Sequence, residues 1–163
     1  MSDGEVLVRI LVAAALGGIV GIERELRDQP AGFRTHMLVA MGACLFTLVG
    51  AFGFQSFTGG TDTHRVQADL TRVASQVVVG IGFLGGGTIL RHGGTVRGLT
   101  TAASLWITAA IGLAVAMGFF FAATAASLLA VFALAGLKPI EKRFFGPRGV
   151  KMEDEPPESM PPD

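Results

Sequence analysis

Charge is scarce in this chain: Asp, Glu, Lys and Arg together make up 16% of 163 residues, and 13 basic residues balance 13 acidic ones. That balance leaves no basic excess with which to hold nucleic acid. Cysteine is nearly absent. Cys44 stands alone in an apolar run, which excludes an internal disulfide and points to a packing role. No Gly-x-Ser-x-Gly sequence occurs, and no His, Cys and carboxylate groups share metal-ligand spacing; His36, His64 and His92 fall outside the apolar runs. The expectation is a protein that is not an enzyme and carries no resident cofactor. Half of the residues are apolar, Gly reaches 23, and mean hydropathy is +0.55, which excludes an ordinary soluble domain and leaves a polytopic membrane protein.

The apolar runs set the spans. Residues 6–22 form the first, preceded by Asp3 and Glu5 where a cleavable signal would be positive, so it is read as an uncleaved anchor. Arg9 sits one turn inside it, with Glu5 one turn earlier as a partner, and is read as an interfacial anchor. Gly17 and Gly21 are spaced for a close helix crossing. A charged hairpin, residues 23–36, leads to the second span at 37–54. A polar linker follows over 55–64, where Asp62 or Thr63 can cap the next helix. The third span, about 73–90, belongs to a stretch from Arg65 to Trp106 around which the bundle is expected to be arranged. On one helix Arg65, Asp69, Arg72, Gln76, Gly80 and Gly87 share a face, and Gly82, Gly85 and Gly86 add further bare surface. Gly80 and Gly87 are expected to pack on the fourth span.

Residues 99–137 contain no charge, and as one helix they would reach about 58 Å, nearly twice a hydrocarbon core of about 30 Å. A turn near Ala116-Met117-Gly118 divides them into spans at 100–117 and 119–137, with Lys138-Pro139 ending the last. The fold expected is all-α, a five-span transmembrane helix bundle over residues 1–137. A basic, then acidic and Pro-rich tail over 138–163 is expected to be largely disordered. With the amino terminus outside, ten basic residues lie on the inner side and two, Arg65 and Arg72, on the outer, which places the carboxyl terminus in the cytoplasm.

Three groupings carry candidate chemistry. Asp69, Arg72 and Gln76 form an outer polar stripe, in which Asp69 and Arg72 can pair. Glu23, Glu25, Arg34, Thr35, His36 and Arg97 gather at the inner face, whereas Arg24 and Arg27 read as ordinary flanking charges. Acids closing the first helix and basic groups opening the second oppose the helix dipoles, so a Glu23 to Arg34 salt bridge is expected, with Arg97 as a second partner for Glu23. Thr100, Thr101, Ser104 and Thr108 form a hydroxyl strip expected to face the glycines of the third span.

The segments Gly17-Gly18-Ile19-Val20-Gly21-Ile22-Glu23-Arg24-Glu25, Ala31-Gly32-Phe33-Arg34-Thr35-His36, Gln76-Val77-Val78-Val79-Gly80-Ile81-Gly82-Phe83-Leu84-Gly85-Gly86-Gly87 and Val96-Arg97-Gly98-Leu99-Thr100-Thr101 resemble the MgtC/SapB family. The resemblance covers about residues 6–137. It departs at Phe33, where Leu is usual, and at Gly86, where Ala is usual. It implies an inner-membrane protein linked to growth in low magnesium and to survival of pathogens inside host cells. It also implies a soluble carboxyl-terminal domain that residues 138–163 are too few to form. The expected activity is modulation of another membrane protein, an ATP synthase or a transporter, through helix packing in the lipid bilayer. Self-association into a homo-oligomer is a further arrangement such faces allow. The alternative is transport of Mg2+ or another ion. Mg2+ uses one or two carboxylates, and the spans place none near the midplane, so that reading needs a path assembled between subunits and leaves a bound Mg2+ undetermined.

Overall fold

A computed structural model describes residues 1–53, 70–92 and 95–145. The expected cap at Asp62 or Thr63, the pairing of Asp69, and the tail from residue 146 lie outside the described residues. Five helices follow in order: α1 (Asp3–Glu25), α2 (Phe33–Leu48), α3 (Leu70–Gly87), α4 (Leu99–Ala116) and α5 (Phe120–Phe145). α2 continues into one π-helical turn, Val49–Gly53. The chain is not purely helical. Between α3 and α4, β1 (Leu90–His92) pairs antiparallel with β2 (Thr95–Arg97) in the register Leu90↔Arg97, Arg91↔Val96, His92↔Thr95. A Gly-Gly pair flanked by Thr, Val, Leu and Ile is a hairpin sequence. Gly98, at φ +88°, then turns the chain into α4 where a Cβ would run into the backbone of Thr88.

Ser2 opens α1 with a capping box. Its hydroxyl accepts from the Glu5 N–H at 3.3 Å, and the Glu5 carboxylate accepts from the Ser2 N–H at 2.9 Å. Glu5 is therefore held at the helix start rather than by Arg9. Arg9 donates to the Ala116 carbonyl and lies over the Phe120 ring, 5.9 Å from its centroid. It fastens α1 to the α4–α5 turn, which falls where the sequence placed it and is made by Gly118 at φ +84°.

The centre of the bundle is α4, which packs against all four other helices; α3 touches α4 and, less, α2. This corrects the expectation that α3 organises the bundle. α1 and α2 form the most extensive pair, and it is glycine that lets them close. A Cβ on Gly17 would lie 2.6 Å from Ala40 Cβ and 2.8 Å from the His36 carbonyl oxygen, and one on Gly21 would lie 2.7 Å from Phe33 Cα. Gly112 of α4 meets the Ala40 backbone in the same way. The core between these helices is small-residue packing: Ala13, Val20, Ala40, Cys44, Val115 and Ala123 are buried within it. Cys44 is fully buried, as its packing role requires.

The glycines of α3 behave differently. Only Gly85 approaches α4, where a Cβ would stand 3.5 Å from that of Ala102, while a Cβ on Gly80, Gly82, Gly86 or Gly87 would have nothing within 4 Å. The expected contact of Gly80 and Gly87 with α4 is thus replaced by one through Ile81 and Gly85. The hydroxyl strip does not face these glycines either: Thr101 is buried against Arg24 of α1 and Ser104 against His36 of α2, the buried Thr108 hydroxyl bonds the Ser104 carbonyl within α4, and Thr100 is exposed.

Among the described residues four helical stretches are long and apolar enough to cross a membrane: Asp3–Glu25, Phe33–Phe52, Leu99–Ala116 and Phe120–Leu137. α3 is of similar length but carries Arg72, Gln76 and five glycines. α5 does not stop at Lys138-Pro139 but runs to Phe145. Proline lacks the N–H that would bond the carbonyl four residues earlier, and that carbonyl, Ala135, is taken by the Arg27 guanidinium, whose Nη2 donates at 3.4 Å.

Candidate functional site

Glu23, Arg24, His36, Thr101 and Ser104, all buried, meet at one end of α1, α2 and α4. On α1 the buried positions Ala13, Gly17, Val20, Gly21 and Arg24 recur at three and four residues, so the stripe that packs the helix carries its last side chain, an arginine, inside. Arg24 is 1% exposed. Its Nη2 donates to Gln29 Oε1 at 2.8 Å and to Thr101 Oγ1 at 3.3 Å, and its Nη1 lies 3.9 Å from Glu23 Oε2. Glu23, 8% exposed, is paired more closely with Arg27, one turn on, which also reaches Ala135. Gln29 completes the loop by donating from Nε2 to the Arg27 carbonyl at 2.9 Å.

His36 is fully buried between α2 and α4. Its Nδ1 faces the Gly32 carbonyl at 2.9 Å and its Nε2 faces Ser104 Oγ at 3.0 Å. A carbonyl only accepts, so Nδ1 carries the proton. The Ser104 hydroxyl has one hydrogen and two acceptors in reach, His36 Nε2 and the Thr101 carbonyl at 2.8 Å. A neutral His36 takes that hydrogen; a protonated one donates to Ser104 and leaves the hydrogen to Thr101. The network thus joins α1, α2, α4 and α5 through charge-assisted and hydroxyl bonds. It fixes how four helices sit together.

The expected inner cluster is therefore only partly assembled. Glu23 and His36 belong to the buried network, which takes Thr101 and Ser104 from the hydroxyl strip instead of the other expected members. The Glu23 to Arg34 salt bridge does not form, and Arg97 is not a substitute: Arg34 and Arg97 are exposed, and Glu23 is held by Arg27 and Arg24. Glu25 has a separate task. Gly32 offers α2 no side-chain cap, and the Glu25 carboxylate accepts from the Phe33 N–H at 3.0 Å, placing negative charge at a helix start as the dipole favours. That, with the Glu23–Arg27 pair at i, i+4, removes the conflict the sequence presented. Arg34 and Thr35 lie at the mouth of a groove between α2 and α3, and Gln76 lies along it. Arg72 is exposed on α3, and Arg97 stands on β2. Sequence reasoning passed over Arg24, Arg27, Gln29 and Gly112. For Arg24 and Gly112 a signal existed in the three-and-four spacing of small residues on α1 and α4. Among the described residues no three His, Cys, Asp or Glu side chains converge as a metal site.

Closely packed apolar helices with a charged network at one end define a multi-pass membrane protein. The MgtC family pattern matches residues 10–143, and the chain belongs to that family, placing it in the inner membrane. It is 42% identical over 116 residues to YhiD of Escherichia coli (strain K12), whose descriptive name refers to magnesium transport, covering 71% of this chain and 53% of that protein. Against Protein SapB of Bacillus subtilis (strain 168) it is 34% identical over 156 residues, 93% of this chain and 64% of SapB. Against Protein MgtC of Brucella abortus (strain 2308) it is 42% identical over 128 residues, 78% and 49% respectively. The chain thus spans about half to two thirds of the length of these relatives. No solved structure matches it.

Proposed function

We propose that this protein serves adaptation to low magnesium without catalysis, by docking the free glycine face of α3 against a helix of another membrane protein. The observation that carries this is the contrast between two sets of glycines. Gly17, Gly21 and Gly112 are filled by a neighbouring backbone, whereas Gly82 and Gly86, one GxxxG step apart, meet nothing within 4 Å. Glycine in a helix interior is unfavourable by about 1 kcal/mol against alanine, and inside this bundle nothing at Gly82 or Gly86 requires it. The family supplies the magnesium context, and the resemblance points to an ATP synthase or a transporter as the partner. Described acidic residues lie at or beyond the ends of the apolar stretches (Asp3, Glu5, Glu23, Glu25, Asp28 and Glu141), which favours docking over a transport path.

The reading includes α3 as a fifth span. Val73 meets Gly50 at one end of α2, and Gly85 meets Ala102 near the start of α4, so α3 runs through the same thickness as its neighbours. Basic residues gather at the Glu25 end of the bundle, which is then cytoplasmic. Reporter fusions at Met117 and at the carboxyl terminus should read outside and inside; the reverse or a shared side overturns the topology. For docking, a photo-crosslinking residue at Gly82 in native membranes at low magnesium should capture a membrane protein. Gly86→Leu should abolish that capture and growth support with the bundle still folded. Growth support unaffected by both Gly82→Leu and Gly86→Leu would refute the reading.

A further inference from the structure

The groove between α2 and α3 lies on the other side of α3 from Gly82 and Gly86, which sit about 200° and 240° round the helix from Gly80 at about 100° per residue. It encloses about 700 Å³. Its floor is Ala43, Ile81 and Ala109, all buried, and its walls are apolar side chains such as Leu38, Phe46 and Val77. Gly42 and Gly80 leave it open in the middle, since a Cβ on either would have nothing within 4 Å. Polar character is confined to Gln76 along α3 and to Arg34 with Thr35 at the mouth, where α2 begins. Arg34 is exposed and forms no ion pair among the described residues. Of the acids on that side, Glu25 is engaged with the Phe33 N–H. Arg91 and Arg97, both exposed on the hairpin, add cations at the same end, where Asp28 is the other exposed acid.

From the geometry we infer that this groove is a binding site for an anionic phospholipid of the leaflet at the Arg34 end: an acyl chain lies along Gly42 and Gly80, and the phosphate meets the Arg34 guanidinium and the Thr35 hydroxyl. The length fits an acyl chain. From Arg34 to Phe46 the groove is about 18 Å long at 1.5 Å per residue, close to one leaflet of a hydrocarbon core about 30 Å thick. The charge selects the headgroup. A guanidinium at the membrane surface attracts anionic lipid, and here it stands directly above an apolar slot.

The test uses the full chain in lipid nanodiscs, then released and read by native mass spectrometry, with phosphatidylglycerol and phosphatidylcholine of matched chains as probes. The wild type should retain phosphatidylglycerol about fivefold over phosphatidylcholine, the ratio that about 1 kcal/mol per basic residue gives. Arg34→Gln should bring the two to parity. Gly80→Leu, and Gly42→Leu as a second variant, should lower retention of both lipids at unchanged melting temperature. Equal retention of the two lipids by the wild type, a preference that survives Arg34→Gln, or full retention in both glycine variants overturns the inference. So does a photo-crosslinker at Gly80 that captures protein instead of lipid in native membranes. Because Gly82 and Gly86 face the other way, failure here leaves the docking face of α3 untouched.

Discussion

Replacing glycine by alanine at two positions adds the same methyl group to two different surroundings, and the structure assigns the two substitutions opposite signs. At Gly17 the new Cβ would lie 2.6 Å from Ala40 Cβ and 2.8 Å from the His36 carbonyl oxygen. Both belong to the backbone or first carbon of α2, so no side chain can swing aside. Relief requires α1 and α2 to separate by most of an ångström, which strips contacts from Val20, Ala40 and Cys44 in the core they share. Overpacking of this kind destabilises by about 1–3 kcal/mol, and unyielding neighbours put Gly17 in the upper half. Alanine returns about 1 kcal/mol of helix propensity, leaving a net loss of about 1–2 kcal/mol. At Gly82 the methyl meets nothing within 4 Å, so only the propensity gain of up to about 1 kcal/mol remains. The two variants should therefore differ by about 2–3 kcal/mol. Reversible unfolding in mixed micelles, followed by far-ultraviolet circular dichroism, measures the difference. A Gly17→Ala protein at least as stable as Gly82→Ala would refute the assignment of Gly17 to a closed crossing and of Gly82 to an open face.

Arg27→Gln should destabilise by about 1–3 kcal/mol, because a buried carboxylate loses its nearest cation and the carbonyl freed by Pro139 loses its donor; amide exchange should rise around residues 135–140, and unchanged exchange there would sink the assignment. Charge exchange discriminates between partners for Glu23: Glu23→Arg with Arg27→Glu should recover part of the stability lost in either single variant, while Glu23→Arg with Arg34→Glu should recover none. Recovery by the second pair alone would reverse the assignment. His36→Phe should lose about 1–3 kcal/mol, because Ser104 and the Gly32 carbonyl each lose a buried hydrogen-bond partner. Ser104→Ala added to it should be milder than the sum of the two single changes, and strict additivity in thermal unfolding would show that the two side chains do not meet.

Composition and apolar run length by themselves determined that this chain is a membrane helix bundle, because a bilayer asks only for stretches long and apolar enough to cross it. The turn at Met117-Gly118 was legible for the same reason: an uncharged run of 39 residues is too long for one span. Gly17 and Gly21 were legible as a crossing because small residues four apart share a face. Partners were another matter. Local spacing gives a helix face but not the neighbour that covers it, so equally glycine-rich faces proved closed on α1 and open on α3. The charged end shows the same limit. Sequence adjacency made Arg24 and Arg27 ordinary flanking charges and offered Arg34 to Glu23. The tertiary structure decided otherwise, since packing the small-residue stripe of α1 against α2 and α4 necessarily carries Arg24 into the interior and leaves Arg34 outside. Once inside, a cation and a carboxylate are stable only when paired and hydrogen-bonded. Arg24 finds Gln29 in the adjoining hairpin, whereas Thr101, and the Ala135 carbonyl that Arg27 meets, come from far along the chain and are brought within reach only by the folded bundle.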